Sequence, residues 1–216
     1  MHFSDYDSNL KQNKSKLEDI GYKSDKPFLK KITIAIIIKF LMWLHIVILC
    51  MIFGGWTRAF LVRKSQGNWF IFTMPTTFWI STVVVIVSSL TMMFTIKALK
   101  KSNMARYRML FGLTTFLGIA FIALQFLGFY EMHMAGINLA STAEGVSGSF
   151  IYVVSIVHLV HMSGGVIALL IYYLIMRFRC TQKVNSDTGL KILGTYWYFV
   201  HFLWLYLFIF FYINQK

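Results

Sequence analysis

The chain has 216 residues, of which 57% are hydrophobic, 18% are aromatic and only 13% are charged. A soluble globular protein is about a quarter charged, and a core of this size could not bury so much apolar surface, so an ordinary soluble protein is excluded. Lys and Arg are enriched in the cytoplasmic loops of membrane proteins, which accounts for the net charge of +13. We therefore expect no nucleic-acid partner. Cys50 and Cys180 are too few for a disulfide framework or a zinc site.

The chain is predicted to be an all-α integral membrane protein. Residues 1–31 are polar and mixed in charge, which predicts a mobile cytoplasmic tail, and residues 32–216 form a single transmembrane domain. A helix of ~22 residues rises ~33 Å, the thickness of a bilayer's hydrocarbon core. Apolar stretches of this length predict five transmembrane helices, at about 34–57, 75–96, 109–130, 148–176 and 193–213.

The distribution of lysine and arginine predicts the orientation. Of the 21 Lys and Arg residues, seventeen lie in the amino-terminal segment through Lys39 and in the 97–108 and 177–192 loops. The 58–73 and 131–147 loops and the carboxyl terminus hold the other four. The positive-inside rule therefore places the amino terminus in the cytoplasm and the carboxyl terminus outside, with anionic lipid headgroups as natural partners of the charge.

Acidic side chains are missing from the predicted membrane interior. Ion-coupled carriers usually keep a carboxylate at membrane depth, so a small carrier is the less favoured alternative function. All eight acids lie in tails, loops or helix ends: Asp5, Asp7, Glu18, Asp19, Asp25, Glu131, Glu144 and Asp187.

Four histidines lie within predicted spans: His45, His158, His161 and His201. One interpretation is haem ligation, as in a haem-b membrane anchor that exchanges electrons with quinone. His158 and His161 are three residues apart and so share one helix face at nearly one depth, whereas two stacked haems need ligand pairs several turns apart. Hydrogen bonding to neighbouring helices, a subunit or a lipid headgroup is therefore favoured.

Three spans carry residue stripes at helical spacing. In the fourth span His158, His161 and Gly165 share a face, and the small residue favours close approach of another helix. In the second span Thr77, Ser81, Ser88 and Thr95 share a face, which indicates ordinary helix packing.

In the fifth span eleven of the seventeen residues from Tyr196 to Tyr212 are aromatic. Trp197, His201 and Trp204 lie on one helix face, with Phe208 a further turn along. So many aromatic residues favour a large, rigid contact surface with another chain or with ordered lipid.

At this fifth span the sequence resembles a known family. Residues 196–208 read YWYFVHFLWLYLF, which is similar to the Y-W-H-F-V-D-x-x-W-L-F-L-F signature of subunit III of haem-copper terminal oxidases. Further positions that match motifs of that family lie earlier in the chain, in the family's order, so the resemblance extends over about residues 38–212. They are Lys39, Met42-Trp43-Leu44, Phe53-Gly54, Thr82, Ser88-Ser89, Thr91, Thr114, Leu117-Gly118, Phe121, Gln125, Gly148-Ser149, His158, His161 and Gly165.

The resemblance implies the shorter, five-helix form of this subunit, in a proton-pumping oxidase of aerobic respiratory electron transport. It implies a non-catalytic subunit of a cytochrome c or quinol oxidase, with no catalytic, cofactor or metal residues of its own. The haems and copper then belong to partner subunits, and this chain packs on subunit I, holds phospholipid and sustains turnover.

The resemblance further implies contact with subunit II, possible contact with subunit IV and a respiratory supercomplex, and a location in the bacterial cytoplasmic (inner) membrane. We expect the interface with a subunit or with lipid to include His158, His161, Gly165, Trp197, His201 and Trp204.

Three departures from the family pattern each remove an acid. Leu49 and Gly128 stand where the family commonly has Glu, and His201 stands where it has Asp. A buried acid is costly without a partner, so the three acids and their partners are expected to be lost together. The departures argue against a proton-handling role at these positions and leave the packing role intact.

Overall fold

The computed structural model describes residues 3–66, 74–137, 146–178 and 187–214. These residues form five α-helices and no strand, and each helix contains an apolar segment long enough to cross a membrane. The predicted all-α fold with five transmembrane helices is therefore confirmed. The helices are α1 (Phe3–Ser65), α2 (Thr76–Lys100), α3 (Met104–Met134), α4 (Val146–Phe178) and α5 (Asp187–Asn214). Glu144 and Cys180 lie outside the described residues.

The helix ends lie beyond most of the predicted spans. Only the fourth apolar segment, Gly148–Met176, agrees with its prediction at both ends. Helix α3 begins at Met104, five residues before the predicted apolar stretch starts. It begins there because the Asn103 side chain accepts a hydrogen bond from the backbone N–H of Arg106. Hydropathy detects the part of a helix inside lipid, whereas capping determines where its hydrogen bonding starts.

Residues 3–31 have helical backbone continuous with the first span, which differs from the predicted mobile tail. The stretch from Asn9 to Glu18 is rich in Lys, Gln, Leu and Glu, which extend a helix readily once a neighbouring turn has formed. The chain divides into two compact units, 1–45 and 46–216. A separate domain bounded at residue 31 stays a prediction.

Within residues 46–216, helices α2 to α5 form a closed ring of contacts. Helix α2 packs against α3 and α5, and α4 packs against α3 and α5. The carboxyl-terminal part of α1 packs on this bundle through Phe53, whose ring lies edge-on to His158 of α4, and through Phe60, whose ring contacts Phe210 and Phe211 of α5.

The α2–α3 hairpin is also joined at the end opposite its turn. Pro75 precedes α2 and supplies no side-chain cap, so the first N–H groups of α2 need another acceptor. The Glu131 carboxylate, in the last turn of α3, accepts hydrogen bonds from the backbone N–H of Thr77 at 3.4 Å and from the Thr77 hydroxyl. An acid of one helix thus caps its neighbour and offsets the positive end of that helix's dipole.

We predict that Glu131→Ala lowers the free energy of unfolding by about 1–2 kcal/mol, because the start of α2 loses its acceptor. Glu131→Gln retains one acceptor oxygen and is expected to cost less. The measurement is unfolding of the purified chain in mixed detergent micelles.

Thr77→Val provides the second half of a double-mutant cycle with Glu131→Ala. The two changes should cost less together than the sum of their separate costs. Additive costs would show that the contact between Glu131 and Thr77 does not stabilise the hairpin.

Candidate functional site

Helix α2 presents a row of small polar side chains to the bundle interior. The predicted face of Thr77, Ser81, Ser88 and Thr95 is buried throughout, which confirms the expectation of helix packing. Hydroxyls along α2 donate to carbonyls of their own helix, as Thr95 does to Thr91 at 2.8 Å. Because the proton is used within the helix, the hydroxyl oxygen remains able to accept a hydrogen bond from another helix.

Two indoles of α5 use these acceptors. The Nε1–H of Trp197 donates to Ser88 Oγ at 3.2 Å, and the Nε1–H of Trp204 donates to Thr82 Oγ1 at 3.1 Å. Residue numbers rise along α5 as they fall along α2, so the helices run antiparallel. Both indoles are at most 2% exposed. We call Thr82, Ser88, Ser89, Trp197, His201 and Trp204 the indole–hydroxyl seam.

His201 lies between the two tryptophans in this seam. Its Nδ1 lies 2.7 Å from Ser89 Oγ, and its ring centroid lies 4.6 Å from that of Trp197. Its Nε2 has no hydrogen-bond partner in the described part of the chain. The aromatic face predicted for α5 is therefore buried against this chain's own helix α2.

His158 is fully buried on α4. The rings of Phe53, Phe121 and Trp204 surround its imidazole, with centroid distances of 6.3, 6.1 and 5.3 Å. Neither ring nitrogen has a hydrogen-bond partner among the described residues. Aromatic side chains from three other helices enclose the ring, and this enclosure disfavours haem ligation at His158.

His161 is half-buried one turn further along α4 and makes polar contacts. Its Nδ1 lies 2.7 Å from the Val157 carbonyl oxygen, so this nitrogen carries the proton and donates. The Tyr196 hydroxyl donates to the backbone carbonyl of His161 at 2.9 Å. The Phe53 ring lies 6.4 Å from His161 and 6.3 Å from His158, as expected for two residues on one helix face.

Glycines on α3 and α4 make room for Trp197. A methyl group at Gly118 would lie 2.7 Å from Cη2 of the indole and 2.9 Å from Val166. A methyl group at Gly165 would lie 3.3 Å from the same indole and 3.1 Å from Tyr196. Gly118 and Gly165 thus form a slot for Trp197, which agrees with the close helix approach predicted from Gly165.

The three positions where the chain departs from the family pattern are all packed tightly. Leu49 is fully buried, and His201 is in the seam. At Gly128 even a methyl group would lie 2.2 Å from the Phe78 ring. Phe78 therefore occupies the space that a longer side chain on α3 would need.

The six residues predicted for the interface gather in one region of the bundle, and their contact with a subunit or lipid stays a prediction. Sequence reasoning missed the hydrogen-bonding roles of Thr82 and Ser89 and the steric role of Gly118. It named Gln125 as a motif position but assigned it no role; this residue is fully buried and donates to Ser81 Oγ at 3.2 Å. The hydroxyl residues spaced along α2 were the available signal. Among the described residues, no three His, Cys, Asp or Glu side chains gather closely enough to hold a metal ion.

Comparison with known families gives one match. The family described as cytochrome c oxidase subunit III matches residues 71–216, which include helices α2 to α5 and the whole indole–hydroxyl seam. The match covers about two thirds of the chain.

Individual relatives carry the same description. The chain is 28% identical over 166 residues to a probable cytochrome c oxidase subunit 3 of Nocardia farcinica, covering 73% of this chain and 78% of that protein. It is 28% identical over 175 residues to cytochrome c oxidase subunit 3 of Thermostichus vulcanus, covering 77% and 82%. It is 31% identical over 136 residues to a probable subunit 3 of Rickettsia conorii, covering 62% of this chain but only 46% of that longer protein.

We predict that Gly118→Ala lowers the free energy of unfolding by about 1–3 kcal/mol, because the added methyl overlaps the rigid Trp197 indole. Gly164→Ala is the matched control, since a methyl group there has no atom within 4 Å. The control should be neutral or stabilising by up to about 1 kcal/mol, because alanine favours a helix over glycine. Equal stability of the two variants would show that no tight slot exists.

Proposed function

This chain belongs to the cytochrome c oxidase subunit III family, and we propose that it stabilises an oxidase complex without a redox centre of its own. Membership of the family makes it an accessory subunit of a haem-copper oxidase. In this proposal the enzyme is a proton-pumping terminal oxidase of aerobic respiration. The partner subunits hold the haems and copper, and their electron donor is cytochrome c or a quinol.

The observation that carries this proposal is the use of the buried histidines. His161 donates to a carbonyl of its own helix, and His201 contacts Ser89 of α2. His158 is enclosed by aromatic rings from three other helices. His158 and His201 therefore take part in helix packing, and His161 bonds within its own helix, which supports a structural role for these histidines.

The outer surface supports direct packing on subunit I. In the carboxyl-terminal part of α1, Met51 is 74% exposed, whereas Leu49 and Phe53 face the bundle. We propose that subunit I covers part of this exposed face and that phospholipid covers the rest.

The predicted interface residues then act on the partner indirectly. Trp197, His201 and Trp204 hold α2 against α5, while His158 and Gly165 lie in the same packed interior. We propose that these side chains set the relative positions of the helices. The helices' outer faces, and the half-buried His161, meet the partner or the lipid.

The relatives named above are bacterial, which supports a location in the bacterial cytoplasmic membrane. The distribution of lysine and arginine supports an amino terminus inside. Contacts with subunit II or IV and membership of a respiratory supercomplex belong to the same proposal.

We predict that deleting this chain leaves the haem and copper spectra of the oxidase in place but shortens its active lifetime during turnover. The physical reason is that the redox centres lie in other subunits, whereas the deletion removes the helix packing between this chain and those subunits. The measurements are reduced-minus-oxidised spectra and oxygen consumption over time, with re-expression of the intact chain as control. Stoichiometric loss of a haem from otherwise folded subunits would contradict the accessory role.

We also predict that replacing Trp197 and Trp204 by Ala releases this chain from the purified oxidase. Truncating a buried aromatic to alanine typically costs about 3–5 kcal/mol, and here two interhelical hydrogen bonds are lost as well. Phe116→Ala with Phe126→Ala is the control, because these aromatic side chains are 65% and 61% exposed on α3 and lie outside the α1 face proposed for subunit I. Subunit content after purification in mild detergent is the readout. Full retention of the double variant would show that the seam does not support assembly.

A further inference from the structure

An open cavity of about 580 Å³ lies at the turn between α2 and α3. It is bounded by the last turn of α2, the connecting residues and the first two turns of α3. The lining residues are Phe94, Lys97, Ala98, Lys101, Asn103, Arg106 and Leu110.

All the charged residues that line this cavity are basic. Lys97, Lys101 and Arg106 place three positive charges around one space. Between residues 74 and 137 the sequence contains a single acid, Glu131, which lies at the other end of α3 and caps α2 there. Among the lining residues no acid offsets the mutual repulsion of these three cations, so an anion in the cavity relieves an unfavourable arrangement.

The backbone adds to this positive character. Ser102 has a φ of +54°, which turns the chain so that α3 starts directly after α2 ends. Asn103 caps α3, so the positive end of that helix's dipole lies at the cavity. Helix N-termini with nearby basic side chains favour phosphate groups.

The remaining wall is apolar and continues along the membrane-facing surface. Phe94 is 48% exposed, and the Lys97 Nζ lies 5.6 Å from the centre of its ring. Ala98 and Leu110 complete the apolar wall. Further along the spans, Leu90 of α2 and Leu113 of α3 are also exposed. A phosphate group at the basic end would have apolar surface beside it for attached hydrocarbon chains.

We propose that this cavity binds the headgroup phosphate of an anionic phospholipid. Lys97, Lys101 and Arg106 contact the phosphate, and the acyl chains lie against Phe94 and Leu110. A free phosphate ion would contact the same basic residues but would leave the apolar wall uncovered. A phospholipid is therefore the favoured source of the phosphate group. The inference rests on the geometry of the α2–α3 hairpin and not on the role in the oxidase.

The test uses the full chain, purified with the subunits it retains, depleted of lipid and re-supplied with phosphatidylglycerol. The pocket variant carries Lys97→Gln, Lys101→Gln and Arg106→Gln. The control variant carries Lys11→Gln, Lys100→Gln and Arg108→Gln, which removes the same residue types outside the cavity on the same predicted side of the membrane. Bound lipid is counted by native mass spectrometry.

Each basic residue beside an anionic lipid contributes roughly fivefold in affinity, so the pocket variant should lose phosphatidylglycerol by about tenfold or more. The control variant also loses three basic residues near the predicted membrane surface and should lose some phosphatidylglycerol, but clearly less than the pocket variant, because its residues do not line the cavity. Lys101→Gln alone, a single change in an exposed turn, should show a loss of about fivefold. This single variant keeps the test decisive if the triple variant proves unstable.

Two further arms identify the ligand. Phosphatidylcholine with the same acyl chains should be retained less well than phosphatidylglycerol, and inorganic phosphate should fail to displace the bound lipid. Equal losses from the pocket and control variants would overturn the proposal. Equal retention of phosphatidylcholine would show that the anionic headgroup is not recognised. Displacement by inorganic phosphate would identify a free-phosphate site instead.

Discussion

The pairing of α5 with α2 through the indole–hydroxyl seam is the interaction on which the rest of the bundle depends. Lipid is as apolar as a leucine side chain, so burial of apolar surface does not by itself hold helices together in a membrane. Association relies on close packing and on interhelical hydrogen bonds, each worth about 0.6–2 kcal/mol. Trp197 provides both, because its N–H donates to Ser88 while its ring fills the slot between Gly118 and Gly165.

The seam also bears on two of the three positions at which the chain departs from the acids expected from the family pattern. His201 takes the acidic position in α5 and contacts Ser89, while Phe78 fills the space beside Gly128. The Phe78 ring in turn lies edge-on to Trp204, with centroids 5.7 Å apart. Gly128 is thus linked to the seam through Phe78 and Trp204, so a carboxylate introduced at Gly128 would meet packed aromatic rings. The interior is organised for packing, and this suits a subunit that supports the redox chemistry of its partners.

The two surfaces of the molecule are chemically separate. Many hydroxyl, indole and imidazole groups lie inside the bundle, where several of them form hydrogen bonds between helices. The outer faces of the spans are apolar and suit lipid or another membrane subunit. Basic residues are concentrated at the predicted cytoplasmic ends, where the α2–α3 cavity collects three of them. This separation lets the interior set helix positions while the outer surface and its basic rim interact with the surrounding membrane and the complex.

The number of spans, their approximate limits and the family follow from the amino-acid sequence, because apolar length and motif order are properties of the chain that need no knowledge of neighbouring helices. The buried face of α2 and the close approach at Gly165 were also predictable, since helical periodicity places residues on faces. What those faces meet could be seen only in the assembled bundle: the capping of α2 by Glu131, the contact of Gly118 with Trp197 and the enclosure of His158. Each depends on which helices are adjacent and how each is rotated about its axis, and periodicity within one helix carries no information about either.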